Sequence, residues 1–386
     1  MTTGLEDARR AARTVGAAMA RATEDVPLVD AAGRVLAADV VAATRLPVTD
    51  TAAMDGWAVA GAGPWRVDGA VRMGQPPGTL ADGLARVVTT GGALPTGARA
   101  VLRAERGVEH AGVLSTTVDL PDDHDVRCAG TDVSAGAVVA GCGARVTPAV
   151  LAAAAAAGID AVRVAVPPRV LVVLVGDELV VEGVPAPGQV RDALGVALPP
   201  ALRAGGAEVV ALERVADDVD AVRRAVDRAD VDLVVTAAAT GHGASDHLPA
   251  ALEACGCRQV FRGVAMRPGH PVLLACRGDG VPVLGLPGNP FAAVVAATLI
   301  GLPLLAGALG AAPPRRRRRV AAHALPGAEH GVRVLAVREE ELGVVAVPQG
   351  SSVVSGAVDA DQLAIVPPGG LPAGSSVDVV DLPWRR

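Results

Sequence analysis

Between residues 168 and 309, short apolar runs alternate with segments of helical character, and this restricts the fold more than any other feature of the chain. "PRVLVVLV" (168–175) is short and apolar throughout. A strand buried on both faces satisfies such a run. "DALGVALPPALRAGGAEVVAL" predicts a helix, a glycine stop and a strand. "DDVDAVRRAVDRAD" predicts a short amphipathic helix, "VDLVVTAAA" a strand and "SDHLPAALEACG" a helix. "HPVLLACRG" and "VPVLGLPG" read as strands, and "PFAAVVAATLIGLPLLAGAL" as the closing helix. Alternation at this spacing predicts a mostly parallel sheet with helices on both faces. Such sheets bind ligands at the carboxyl ends of their strands.

A chain of 386 residues exceeds one ordinary core. Residues 5 to 45 look helical and then extended, with the first helix over Glu6 to Ala22. From Pro47 to about Ala140, Val-rich stretches alternate with Gly and Pro and predict a β-rich domain. "PAVLAAAAAAGIDAVRVA" (148–165) predicts a helix stopped by Gly158 and a following strand. Pro313 and Pro314 mark a boundary, and the Val-rich tail predicts a small all-β domain. The run Arg315 to Arg319 reads as a solvated linker or the start of an edge strand.

A net charge of −6 and a pI near 5.7 provide no field for nucleic acid. No signal-peptide pattern is visible, so a cytoplasmic location is expected. The long apolar run from Val281 to Ala311 is interrupted by prolines and reads as strand, turn and helix, with no membrane span expected. The five cysteines have no zinc spacing and are expected to be reduced and mostly buried.

The polar groups that could carry chemistry stand where predicted strands end. One strand runs into Gly176, Asp177 and Glu178, another into Gly241, His242, Gly243 and Asp246. A third runs into Gly288 and Asn289, with a helix starting at Pro290. Glycines allow close backbone approach, and a helix N-terminus offers N–H groups to an anion. Asn289 is the only asparagine in the chain. It suits either a helix cap or a ligand hydrogen bond, and both readings stand at this point. The loops describe a pocket for an oxyanion or phosphate beside acids that suit Mg²⁺.

The order of motifs resembles the MoeA family, the molybdopterin molybdenumtransferases, also found as the gephyrin E domain and its plant counterpart. "LPVTDTAAMDGWAVAG" (46–61), "TGGALPTGARAVLRAE" (90–105), "VRCAGTDVSAG" (126–136), "VGDEL" (175–179), "GQVRDALG" (188–195), "RGVAMRPGHPV" (262–272) and "GLPGNPFAA" (285–293) carry the likeness, which spans nearly the whole chain. The resemblance implies an α/β multidomain fold. Its parts are a discontinuous N-terminal linker domain (1–46 and 141–167), a β-rich domain (47–140), a MogA-like molybdopterin-binding domain (168–312) and a C-terminal β-barrel domain (313–386). It implies Mg²⁺-dependent insertion of molybdate into adenylylated molybdopterin with release of AMP. It also implies an elongated homodimer, with the α/β cleft facing the second domain of the partner subunit.

Carried onto this sequence, the resemblance assigns catalysis to Asp55, Glu178, Asp246 and Arg267. Substrate binding goes to Thr90, Asp132, Gly176, Asp177, Asp192, Gly243, His270, Pro287, Gly288, Asn289 and Pro290. Molybdate falls to Arg267, His270, Arg333, Ser351 and Ser352, and metal binding to Asp246 and Glu178. The chain departs from the family pattern within the site. Val175 stands for Thr, Ala193-Leu194 for Ser-Asn, "AATGHG" (238–243) for Gly-Gly-Val-Ser-Val-Gly, and Arg267 and His270 for two lysines. Retained acids with altered neutral donors fit an active enzyme with a retuned site. They also fit a weakened paralogue serving as a pterin-binding or scaffold protein, or an enzyme for a different nucleotide-like substrate.

Overall fold

The computed structural model describes residues 2–20, 22–238, 240, 247–350 and 355–384. At its centre lies a six-stranded mixed sheet. The strands run in the order Glu208–Val215, Arg169–Val175, Leu233–Ala237, Pro282–Leu286, Leu273–Cys276, Arg258–Arg262. The first four are mutually parallel, and the last two join by antiparallel pairings. Along Arg169–Val175, Val170, Val172 and Leu174 enter one core while Leu171, Val173 and Val175 enter another. Burial on both faces explains why this strand is apolar at every position after Arg169.

Helices Leu194–Ala204 and Pro290–Ala296 pack on one face, and Val219–Val226 and Leu248–Ala254 on the other. The chain leaves the Arg169–Val175 strand toward one neighbour and returns on its other side. That reversal is a switch point, and it opens a crevice at the carboxyl ends of the central strands.

The segment Pro290–Leu309 is the helix long and apolar enough to cross a membrane among the described residues, and it is buried from Phe291 onward. It is helical over Pro290–Ala296, widens to a π-helix over Ala297–Gly301, and resumes as an α-helix over Leu302–Leu309. Pro303 has no N–H to donate to Leu299. Buried Arg9 supplies the missing donor, with its guanidinium bonding the Leu299 carbonyl at 3.2 Å.

Arg9 comes from the first helix, which spans Leu5–Ala18 and stops short of Ala22. Its Leu5, Ala8 and Ala12 belong to the α/β core. The helix therefore sits apart from the rest of the expected linker segment, where Thr23–Pro27 pairs antiparallel with Ala161–Ala165. Gly16 and Gly307 let it approach Leu302–Leu309 backbone to backbone, since a Cβ on either glycine would collide with a carbonyl of the facing helix.

The 47–140 segment holds a six-stranded sheet in the order Ala100–Arg103, Gly56–Val59, Leu84–Val88, Trp65–Ala70, Val113–Ser115, Val108–His110. In the tail, Val332–Glu340 pairs with Gly343–Ala346 and Gln362–Val366, and Ser376–Asp381 pairs with Gln362–Val366 and Arg316–Val320. A bridge between Ala321 and Val344, with Ala322 N–H on the Val344 carbonyl at 3.0 Å, brings the first strand back to Gly343–Ala346 and curls the sheet around its own core. The arginine run is the edge strand Arg316–Val320, and its side chains pair with Glu6, Glu339, Asp378 and Asp381.

The thiols are free, yet only Cys276 is buried, and Cys142 is exposed. The expectation of mostly buried cysteines fails because several stand near the ends of their elements. Partial burial still pushes the Cys257 thiol up to about 11, which keeps it protonated and unreactive at neutral pH.

Candidate functional site

The crevice at the switch point is a cleft of about 610 Å³. Val175 and Glu178 reach it from one strand end, Ala238 and Thr240 from the next, and Pro287, Gly288, Asn289 and Pro290 from the third. Gly176 makes the first turn possible. Its φ of +147° suits glycine, and a Cβ there would lie 2.6 Å from the Glu178 carboxylate. Glu178 is exposed and makes no side-chain hydrogen bond among the described residues. Asp177 lies on the same turn, where its carboxylate accepts the Asp217 N–H at 3.4 Å.

A second cleft of about 540 Å³ adjoins the first. Its walls include Arg267, His270, Phe291 and Ala292 from the α/β domain, and Gly327, Arg333 and Gln349 from the tail. The two clefts share Pro271, Pro287 and Asn289. Asn289 is the N-cap of the Pro290–Ala296 helix, but its side chain makes no capping bond. Of the two readings of this residue, a side-chain cap is excluded. Its amide is exposed at the junction of both clefts.

Arg267 and Arg333 are partners in a short parallel ladder, Met266–Val332 and Arg267–Arg333. Like charges in register repel. Neither guanidinium has an ion pair among the described residues, and Arg333 donates only a long 3.4 Å bond to the Gly327 carbonyl. The strand pairing therefore holds two cations together over an open cleft, an arrangement that an oxyanion would neutralise. His270 Nδ1 donates to the Val264 carbonyl at 2.8 Å, which fixes the ring.

Other predicted residues are already engaged or line neither cleft. Asp192 lines the first cleft but is buried and already engaged. Its Oδ2 takes two bonds from Arg214, at 2.9 and 2.6 Å, and its Oδ1 accepts the Gly195 N–H at 2.7 Å. Asp55 and Thr90 do find each other. The Thr90 N–H and hydroxyl donate to Asp55 Oδ1 at 2.6 and 2.9 Å and hold this exposed carboxyl below its ordinary range. They and Asp132 belong to the 47–140 segment and line neither cleft of the same chain. Gly241, His242, Gly243, Asp246, Ser351 and Ser352 lie outside the described residues.

Ala238, Pro271, Phe291 and Gln349 line the clefts without having been singled out from the sequence. Gln349 pins its loop through the N–H and carbonyl of Ala336 and the carbonyl of Val347. Ala238 has a φ of +75°, where an L-residue is strained by about 1 kcal/mol or more. Replacing it with glycine should stabilise the fold by roughly 0.5–1 kcal/mol, read as a higher urea midpoint. A lower midpoint would show that its methyl group, packed near Gly288, matters more than the strain.

Two family models match the chain. "MoeA N-terminal region (domain I and II)" matches residues 3–158, and "Probable molybdopterin binding domain" matches residues 171–307. The chain is 38% identical over 318 residues to "Molybdopterin molybdenumtransferase 2" of Mycobacterium tuberculosis, covering 77% of this chain and 78% of that protein. It is 35% identical over 303 residues to "Molybdopterin molybdenumtransferase" of Synechococcus elongatus, covering 74% and 75%. A solved molybdopterin biosynthesis MoeA protein from Pyrococcus horikoshii matches with a TM-score of 0.78 and 28% identity over 99% of both chains. A second structure of that description, at 22% identity and a TM-score of 0.84, shows the same fold.

Proposed function

We propose that this chain, which belongs to the MoeA family of molybdopterin molybdenumtransferases, inserts molybdate into adenylylated molybdopterin and releases AMP. The supporting observation is the meeting at Asn289 of two unlike clefts, one at strand ends and one crossed by paired arginines. The first takes the pterin nucleotide and the second takes the oxyanion. Asn289 stands where the two substrates must touch.

Arg267 and Arg333 hold molybdate by charge-assisted hydrogen bonds, and His270 offers its second ring nitrogen beside them. The His270 ring, already held by the Val264 carbonyl, needs no reorganisation to meet the oxyanion.

The residues fit Mg²⁺. Among the described residues no three His, Cys, Asp or Glu side chains could together hold a metal ion. Mg²⁺ needs only one or two carboxylates when substrate phosphates supply further oxygens. Glu178 would hold it, with Asp246 as a second ligand, and the bound ion would neutralise phosphate charge.

Asp55 and Thr90, which line neither cleft of their own chain, act in the cleft of a partner subunit in a cytoplasmic homodimer. Asp132 joins them. The four-domain division read from the sequence is part of the same reading.

The test is AMP release from adenylylated molybdopterin and Mg²⁺, with and without molybdate. Release that requires molybdate is the expected result. Tight binding of the pterin nucleotide without release would favour the scaffold reading, to which apolar Val175, Ala193 and Leu194 in the cleft also point. Absence of both binding and release would overturn both readings.

A further inference from the structure

Arg191 lines the first cleft, faces solvent and has no ion pair or side-chain hydrogen bond among the described residues. The adjacent carboxylate does not neutralise it, because Asp192 is committed to Arg214 and to the Gly195 N–H. The backbone around it is fixed on both sides. Val190 N–H bonds the Glu178 carbonyl at 2.8 Å, and Asp192 N–H bonds the Val180 carbonyl at 2.9 Å. Next along the chain come Ala193 and Leu194, which offer no side-chain donor. In the described lining of this cleft, side-chain donors come only from Arg191, Asn289 and the buried Thr240.

We infer that Arg191 binds a phosphoryl oxygen of the pterin nucleotide and so supplies the donor that its apolar neighbours lack. A guanidinium matches phosphate geometry and keeps its charge at every relevant pH. The inference rests on the proposed function for the identity of the ligand. It rests on the geometry alone for the anion.

The test compares the wild type with Arg191→Gln and Arg191→Lys by titration calorimetry, using adenylylated molybdopterin and, separately, inorganic pyrophosphate. Arg191→Gln should weaken nucleotide binding about 10- to 100-fold, the range for one charge-assisted bond. Arg191→Lys should recover part of the loss. The molybdate half-saturation should stay within about twofold, which a general distortion of the site would not allow. Melting temperature should be unchanged, since the side chain is exposed.

Equal nucleotide binding by wild type and Arg191→Gln would overturn the inference and leave the proposed function standing. Pyrophosphate binding that needs Arg191, in a protein that ignores the nucleotide, would uphold the anion site and sink the proposed function. Loss of neither ligand in Arg191→Gln would remove the phosphate role outright.

Discussion

Asn289→Ala is expected to lower kcat/KM for the pterin nucleotide by about 10- to 100-fold while leaving stability nearly unchanged. The separation follows from the cap geometry. Replacing a working N-cap asparagine with alanine costs about 1 kcal/mol. Here the side chain makes no capping bond, so that cost is absent. The amide instead faces both clefts, and its loss removes a donor and an acceptor at the point where they join. Steady-state kinetics and a urea titration on the same variant decide the matter. A stability loss near 1 kcal/mol with unchanged kcat/KM would make Asn289 a structural residue.

The largest expected effect on stability comes from the first helix. Gly16→Val should destabilise the α/β domain by roughly 3 kcal/mol or more, at or beyond the upper end of ordinary overpacking. Intrinsic helix propensity argues the other way, since glycine is the poorest helix former after proline. Packing wins because a Cβ at Gly16 meets the Leu304 carbonyl, and Gly307 meets the Arg13 carbonyl across the same crossing. Backbone atoms cannot swing aside as a side-chain end can. Thr14→Val, on the exposed side of this helix, should change stability by about 0.5 kcal/mol or less. A similar effect from both substitutions, read from thermal or urea unfolding, would refute the close crossing.

The elements that were legible in the sequence are those whose pattern is local. The Arg169–Val175 strand announces itself by continuous burial, and Asp218 announces the Val219–Val226 helix by capping the Asp220 and Ala221 N–H groups. Glu178, Gly288 and Asn289, read as the ends of predicted strands, line the first cleft. Pairings between distant segments left no such trace. Met266–Arg267 forms only a two-residue strand, so no periodicity shows that it lies beside Val332 and Arg333.

Two other misses have the same origin. The capture of Asp192 by Arg214 depends on the register of neighbouring elements, and a sequence motif cannot tell a free aspartate from an occupied one. The first helix carries small residues that suit many partners, so its docking onto Leu302–Leu309 was not visible beside its own linker segment. Asp55 and Thr90 were assigned separately through two family motifs, and the bond between them is visible only in the structure.

Two half-saturation constants, measured side by side in the AMP-release reaction, decide whether the clefts divide the substrates between them. Arg267→Gln should raise the molybdate concentration needed by about tenfold or more, since it removes a charge-assisted bond to the oxyanion. The pterin-nucleotide constant should stay within about twofold, because Arg267 lines only the second cleft. A rise in the nucleotide constant with the molybdate constant unmoved would contradict the division of the site.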